Sequence, residues 1–237
     1  METWHYEPVS DLDQPLLERL RRFPREPDIT IYGIRSLAAL IVRGWLRVYH
    51  RFKIVGREHL PAEGSFVLVA NHTSHLDTLC LLAALPLRKL HRAFPAAAQD
   101  YFFVGMPRLA AAAILVNALP FARQIHHRQS LELCRKLLEK PGNILILFPE
   151  GTRSTTGLIG DFRPGIGLLA AATSVPVVPC HLSGAFRAWP KGRWLPYPRA
   201  VRLRIGSPKI YSTLVPSRQT ALQIAGELCE AVLALAT

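Results

Sequence analysis

The chain has 237 residues, 49% of them hydrophobic, enough for one domain with a sizeable core, alone or with a small appendage. Against 17 acidic residues stand 29 Lys and Arg, a net charge of +12, so the surface attracts something anionic: nucleic acid, lipid headgroups or an acidic carrier. Four scattered cysteines, Cys80, Cys134, Cys180 and Cys229, form no C-x-x-C or Cys/His cluster, which argues against a metal site and against a disulfide framework. Three of them lie in apolar surroundings and read as core residues of a protein kept in a reducing compartment. The N-terminus METWHYEP is not a signal peptide, and no stretch of about 18 residues is apolar enough to span a bilayer. A soluble or peripheral protein is expected.

Residues 1–28 carry Pro8, Pro15, Pro24 and Pro27 among charges and read as irregular, with one helical piece near residues 16–22. From residue 29 to 50 the pattern changes. Ile31, Ile34, Ala38, Ile41, Trp45 and Val48 recur at three- and four-residue steps, one face of a helix, with Arg35, Arg43 and Arg47 off that face. Such a basic amphipathic helix either lies in a membrane interface or docks on its own domain. The absence of acids on it favours the membrane.

Residues 52–55 read as a short strand and residues 56–61 as a turn. Phe66–Ala70 is a Val-rich apolar run, a buried strand. It breaks into Asn71-His72-Thr73-Ser74, and a helix then runs to about Leu85, stopped by Pro86. His72 therefore sits where a strand ends and a helix begins, a place where α/β enzymes carry reactive groups. Asp77 lies in the first turn of that helix, within reach of His72. A carboxylate that orients an imidazole and stabilises its cation makes a general base. The plainer alternative is that Ser74-His75-Leu76-Asp77 is a capping-box-like start and Asp77 serves only the helix. His75 competes for any catalytic role.

A basic patch follows at residues 88–92, then a strand at 94–98. Residues 109–119 are apolar and helical or strand-like by composition, with the run Ala110–Ala113 arguing for helix. Arg123 is the first charge after that run, and it either lines a site or starts a surface loop. Residues 130–140 form an amphipathic helix closed by Pro141-Gly142. The cleanest buried strand, residues 144–148, ends in Pro149-Glu150-Gly151-Thr152-Arg153-Ser154. Here a carboxylate, a glycine that lets a ligand approach the backbone and an arginine suited to phosphate again follow a buried strand. A helix is read at 168–173. Residues 175–180 form a strand whose prolines suggest an edge or irregular pairing. Residues 201–205 form a strand with one wet face, and a final helix runs from Ser217, a plausible N-cap, to Leu235. Between Asp161 and Glu227 there is no acidic residue, while nine arginines and lysines mix with Trp189, Trp194, Tyr197 and Tyr211. That mixture suits a membrane interface or RNA, and no nucleic-acid motif accompanies it. The bland alternative is a solvated basic face. The three buried strands with helices between them define an α/β fold with a mixed, partly parallel central sheet flanked by helices.

Four blocks, in order, resemble the glycerolipid acyltransferase family whose best-known members are the lysophosphatidic acid acyltransferases. Asn71-His72-Thr73-Ser74-His75-Leu76-Asp77 resembles the first, Leu119-Pro120-Phe121-Ala122-Arg123 the second, Phe148-Pro149-Glu150-Gly151-Thr152-Arg153-Ser154 the third and most specific, and Val175-Pro176-Val177-Val178-Pro179 the fourth. The second departs from the family pattern at Pro120 and Ala122. The resemblance covers roughly residues 50–210. It implies a catalytic domain at 51–237 behind an N-terminal region, 1–50, that contacts membrane. It implies direct acyl transfer from a thioester to a hydroxyl, with His72 as base and Asp77 orienting it. Glu150, Gly151 and Thr152 would hold the acceptor's glycerol portion, and Arg123 and Arg153 its phosphate. No cofactor is implied; acyl-CoA or acyl-carrier protein is the co-substrate. The acceptor is a lysophospholipid, most simply 1-acyl-sn-glycerol 3-phosphate, with a lyso-aminolipid or glycerol 3-phosphate as alternatives. Residues 187–204 would face anionic lipid, acyl carrier protein or the phosphates of coenzyme A, and the protein would sit on the cytoplasmic face of a membrane. A non-catalytic basic membrane- or RNA-binding module and an acyl-thioester hydrolase remain competing classes.

Overall fold

The computed structural model describes residues 29–98, 119–121 and 127–236. In chain order these form α1 (Ile29–Tyr49), β1 (Lys53–Val55), β2 (Phe66–Ala70), α2 (Asp77–Ala84), β3 (Ala93–Ala98), β4 (Leu119–Phe121), α3 (His127–Glu139), β5 (Ile144–Leu147), α4 (Gly165–Ala170), β6 (Val177–Ser183), α5 (Ala185–Ala188), β7 (Arg202–Ile205) and α6 (Arg218–Ala234). Short 3₁₀ turns cover Arg57–His59 and Leu87–Arg92.

The strands make one seven-stranded sheet in the order β1-β7-β6-β2-β5-β3-β4. Every pairing is parallel except β6 with β7. β2 lies near the centre, with β5 on one side and β6 on the other, and all five of its residues are buried. Strand alternation splits its side chains between two cores. Phe66, Leu68 and Ala70 face a cluster that takes in Leu46 of α1 and Cys80 and Leu81 of α2. Val67 and Val69 face a second cluster with Leu137 of α3, Leu169 of α4 and Leu228 of α6. The molecule is thus an α/β sandwich with helices on both sheet faces, as the apolar runs predict.

Several elements depart from the sequence reading. β6 is an interior strand, not an edge, despite its proline. β7 pairs with it only from Cys180 onward, so Pro179 stands just outside that ladder while its carbonyl accepts from Gly206 N at 2.8 Å. α4 begins three residues earlier than expected, because Pro164 takes its N-cap position, and it stops before Ala172, whose φ of 57° is left-handed. β4 is a three-residue strand that the reading left inside the second block. Residues 99–118, including the apolar stretch 109–118, and Arg123 fall outside the described residues, as do residues 1–28. Ser217 caps α6 as expected, accepting from Thr220 N at 3.0 Å.

α1 turns much of its most regular apolar stripe outward, although Trp45 of that stripe packs against the core. Arg35 and Leu46 are buried, with Ala39 and Val42 against the core, whereas Ile34, Leu37, Ile41 and Val48 are exposed. The helix docks on its own domain and still presents an apolar outer face.

α4 and α6 cross at a point set by Gly167, where an added Cβ would stand 2.2 Å from the Ala221 carbonyl oxygen. Gly167→Ala is therefore expected to force the helices apart and cost about 1–3 kcal/mol, as overpacking does. Urea unfolding of the variant measures this; an unchanged midpoint would contradict the close crossing.

Candidate active site

The site forms where β2 and β5 end. Asn71 extends β2 with its side chain: Nδ2 donates to the Leu182 carbonyl at 3.1 Å, and Oδ1 accepts from Leu182 N at 2.8 Å. The amide thus copies a strand ladder against β6 and fixes the point at which the chain turns. The residue after it is His72.

His72 is gripped from four directions. Its N–H donates to Glu150 Oε1 at 2.7 Å and its carbonyl accepts from Ser154 N at 2.8 Å. Its ring stacks on Phe148, centroids 4.0 Å apart and planes 16° from parallel. Its Nδ1 lies 2.9 Å from Asp77 Oδ2. Three of these four restraints come from the loop after β5, so the third block frames the first. An ionised carboxylate only accepts, so Nδ1 carries the proton and Nε2 keeps its lone pair. Nε2 makes no hydrogen bond among the described residues, and the side chain stays 21% exposed.

Asp77 is fully buried at the start of α2. The same Oδ2 that meets His72 also accepts from Thr73 N and Ser74 N, both at 2.7 Å. The helix starts at Asp77 behind Leu76 with no side-chain cap, so the capping box is not formed as read; the Asp77 oxygen instead folds the preceding loop, and the folded loop delivers His72.

Glu150 ties the loops together. Besides His72 N, it accepts from Gly160 N through Oε2 at 3.0 Å. Burial pushes its carboxyl above the ordinary range, against the pull of those two amides. Gly151 beside it has φ 77°, and a Cβ there would strike the Arg163 guanidinium at 2.7 Å. Gly151 and Thr152 are exposed at the rim. Glu150→Gln is expected to slow turnover, because the amide nitrogen would face one of the two backbone donors. The amide nitrogen can turn to Gly160 N, which water also reaches, or to the part-buried His72 N, where an unmet donor costs up to about 1–3 kcal/mol. A thermal melt beside a kcat measurement checks this; unaltered values of both would remove Glu150 from the frame.

Arg153 swings to the other side of the first block, its Nη1 2.7 Å from Nε2 and 2.9 Å from Nδ1 of His75. Burial, then the charge of Arg153, hold the His75 imidazole down at about 4, so it is neutral near pH 7 and a weaker base than a free imidazole. His75 also packs on Trp189, centroids 5.1 Å apart, and the Trp189 carbonyl accepts from Ser74 Oγ at 2.7 Å.

His72, Asp77, Glu150, Gly151, Thr152 and Arg153 thus come together from two loops, and Arg123 lies outside the described residues. Phe148, Asn71, Gly160 and Trp189 join them unforeseen. Phe148 and Asn71 stood in the quoted blocks without a role. Trp189 had no local signal beyond its place in the aromatic, basic stretch.

Residues 51–183 match the family model described as Acyltransferase, and the chain belongs to that family. It is 35% identical over 165 residues to a chloroplastic 1-acyl-sn-glycerol-3-phosphate acyltransferase of Arabidopsis thaliana, covering 67% of this chain and 44% of the relative. It is 29% identical over 189 residues to the 1-acyl-sn-glycerol-3-phosphate acyltransferase of Pseudomonas aeruginosa, covering 74% and 69%. The crystal structure of the 1-acyl-sn-glycerophosphate acyltransferase PlsC from Thermotoga maritima superposes with a TM-score of 0.62 at 25% identity, over 86% of this chain and 80% of that one. The matches span less than half the length of the chloroplastic relatives, 44% and 46%.

Proposed function

We propose that the protein moves an acyl group from a thioester, on coenzyme A or an acyl carrier protein, to the free hydroxyl of 1-acyl-sn-glycerol 3-phosphate, giving phosphatidic acid. The observation that carries this is the His72 Nδ1–Asp77 Oδ2 contact of 2.9 Å, which leaves Nε2 as a base at the partly open end of the sheet. The relatives named for this reaction supply the substrate class.

In this reading Nε2 takes the acceptor's hydroxyl proton as its oxygen attacks the thioester carbonyl. The C–S bond then breaks, and the imidazolium returns the proton to the leaving thiolate. Asp77 stabilises the imidazolium in between. The cysteines do not suit an acyl-enzyme route: Cys80, Cys134 and Cys180 are buried, burial pushes Cys134 up to about 12 and Cys80 and Cys180 well above their ordinary values, and burial with the Asp161 charge raises the half-buried Cys229 thiol too. Glu150 has lone pairs beyond those its two amides use, and with Gly151 and Thr152 it borders the place for the acceptor's glycerol. Arg153, with Arg123, would hold the phosphate, a match that guanidinium geometry favours.

No helix among the described residues is long and apolar enough to cross a membrane. The outward stripe of α1, Ile34, Leu37, Ile41 and Val48, with exposed Arg47 and Arg51 near its end, supports seating on an anionic membrane, which in this reading is a cytoplasmic face. The phosphate role is tested by Arg153→Ala. Its kcat/KM for lysophosphatidic acid is expected to drop about tenfold or more, in line with a charged hydrogen bond of about 1.5–3 kcal/mol, while that for monoacylglycerol barely moves. An equal loss on both acceptors would contradict the assignment.

A further inference from the structure

The segment 189–197 is fastened along its length and yet carries the most exposed aromatic residue among the described residues. Trp189 Nε1 donates to the Arg193 carbonyl at 2.9 Å, Arg193 N to the Pro190 carbonyl at 3.3 Å, and Tyr197 N to the Ala188 carbonyl at 2.8 Å. The Arg193 guanidinium sits 4.0 Å from the Tyr197 ring centroid. On this braced turn Trp194 is 84% exposed, Leu195 63% and Tyr197 50%. A rigid loop that holds a tryptophan and a leucine in water has no folding reason to do so, since it buries neither.

Both ends of this turn have structural partners elsewhere in the molecule. Tyr49, at the end of α1, donates its hydroxyl to the Pro196 carbonyl at 3.1 Å, so the turn adjoins the helix whose outer face is apolar. Trp189 accepts from Ser74 Oγ and from His75 N, and Ser74 bridges to Pro190, so the turn is also fixed to the loop that carries His72. Lys191, Arg193 and Arg199 are exposed around it, and no acidic residue occurs between Asp161 and Glu227.

We infer that residues 189–197 are a bilayer-seated rim of the active site, with Trp194 and Leu195 entering the interface of an anionic membrane while Trp189 holds the His72 loop at a set height above it. A lysolipid then reaches His72 from the bilayer along this rim. The inference rests on the acceptor being a membrane lipid, and it names the contact that presents that lipid. An apolar and aromatic tip ringed by cations fits headgroups over acyl chains. An acidic carrier protein would instead need the cations alone.

The test uses the full chain with Trp194→Ser and Leu195→Ser combined, and Trp194→Phe with Leu195→Met as the apolar control. Partitioning is measured by co-sedimentation with vesicles of phosphatidylcholine containing phosphatidylglycerol. Turnover is measured on lysophosphatidic acid embedded in those vesicles and on a short-chain, water-dispersed form. The serine pair is expected to lose about tenfold or more in partitioning and in turnover on embedded acceptor, and to keep turnover on dispersed acceptor; the control keeps all three. Unchanged partitioning overturns the inference, whether the pair instead raises KM for acyl-carrier protein or alters self-association. Equal loss on dispersed acceptor overturns it too, since the turn would then be part of the site's frame. If wild type turns over no donor–acceptor pair, the proposed function has failed, and partitioning still decides the rim.

Discussion

His72→Ala is expected to lower kcat by about 10²–10⁴, the range that general-base assistance supplies. The side chain is held by Phe148 and Asp77, while its backbone is held independently by Glu150 and Ser154. Removing the imidazole therefore leaves the loop's main-chain anchors in place. It also leaves Asp77 Oδ2 with two amide donors, so the buried carboxylate is not stranded. Circular dichroism and the melting temperature should change little beside the loss of rate. A folded variant with wild-type turnover would remove the base from the mechanism.

Asp77→Asn is expected to cost a similar order, about 10²–10⁴ in kcat, for a different reason. The asparagine carbonyl can take over from Oδ2 and accept from His72, Thr73 and Ser74. Its amide group would then occupy the Oδ1 position, which is buried and has no hydrogen-bond partner. The opposite orientation would set that amide against two backbone N–H groups, so the loop geometry is kept and the charge is lost. What disappears is stabilisation of the imidazolium. Asp77→Ala is the less informative change, because it leaves two backbone amides without an acceptor and damages the loop itself. Turnover of the asparagine variant within tenfold of wild type would show that Asp77 serves only to fold the loop.

Much of this arrangement was legible along the chain. β2 and β5 are buried on both faces, so they read as unbroken apolar runs. The polar groups that follow such runs have to surface at the sheet's end, which marked His72 and Glu150 each as a candidate at a strand's end. Ser217 announced α6 by a local rule. What periodicity could not decide was which face of α1 docks. Ala39, Val42 and Leu46 make one apolar stripe, and Ile34, Leu37, Ile41 and Val48 another; only the partner surface chooses between them. β4 hid behind its proline, and the prolines at β6 suggested an edge it does not occupy, because a strand with no N–H to give at one position still pairs where the ladder does not need it. The bond from His72 N to Glu150 joins residues 78 apart, and no local pattern encodes it. The same holds for Trp189, whose carbonyl reaches back to Ser74 across 115 residues.

The central claim is acceptor-dependent acyl transfer, and thiol release tests it most directly. Purified protein is given acyl-CoA, and in parallel acyl-carrier protein, with and without lysophosphatidic acid. The predicted result is thiol release with at least one donor that requires the acceptor and yields phosphatidic acid in equal amount. Release at the same rate without acceptor would make the protein a thioester hydrolase, and no release with either donor would contradict the assignment altogether.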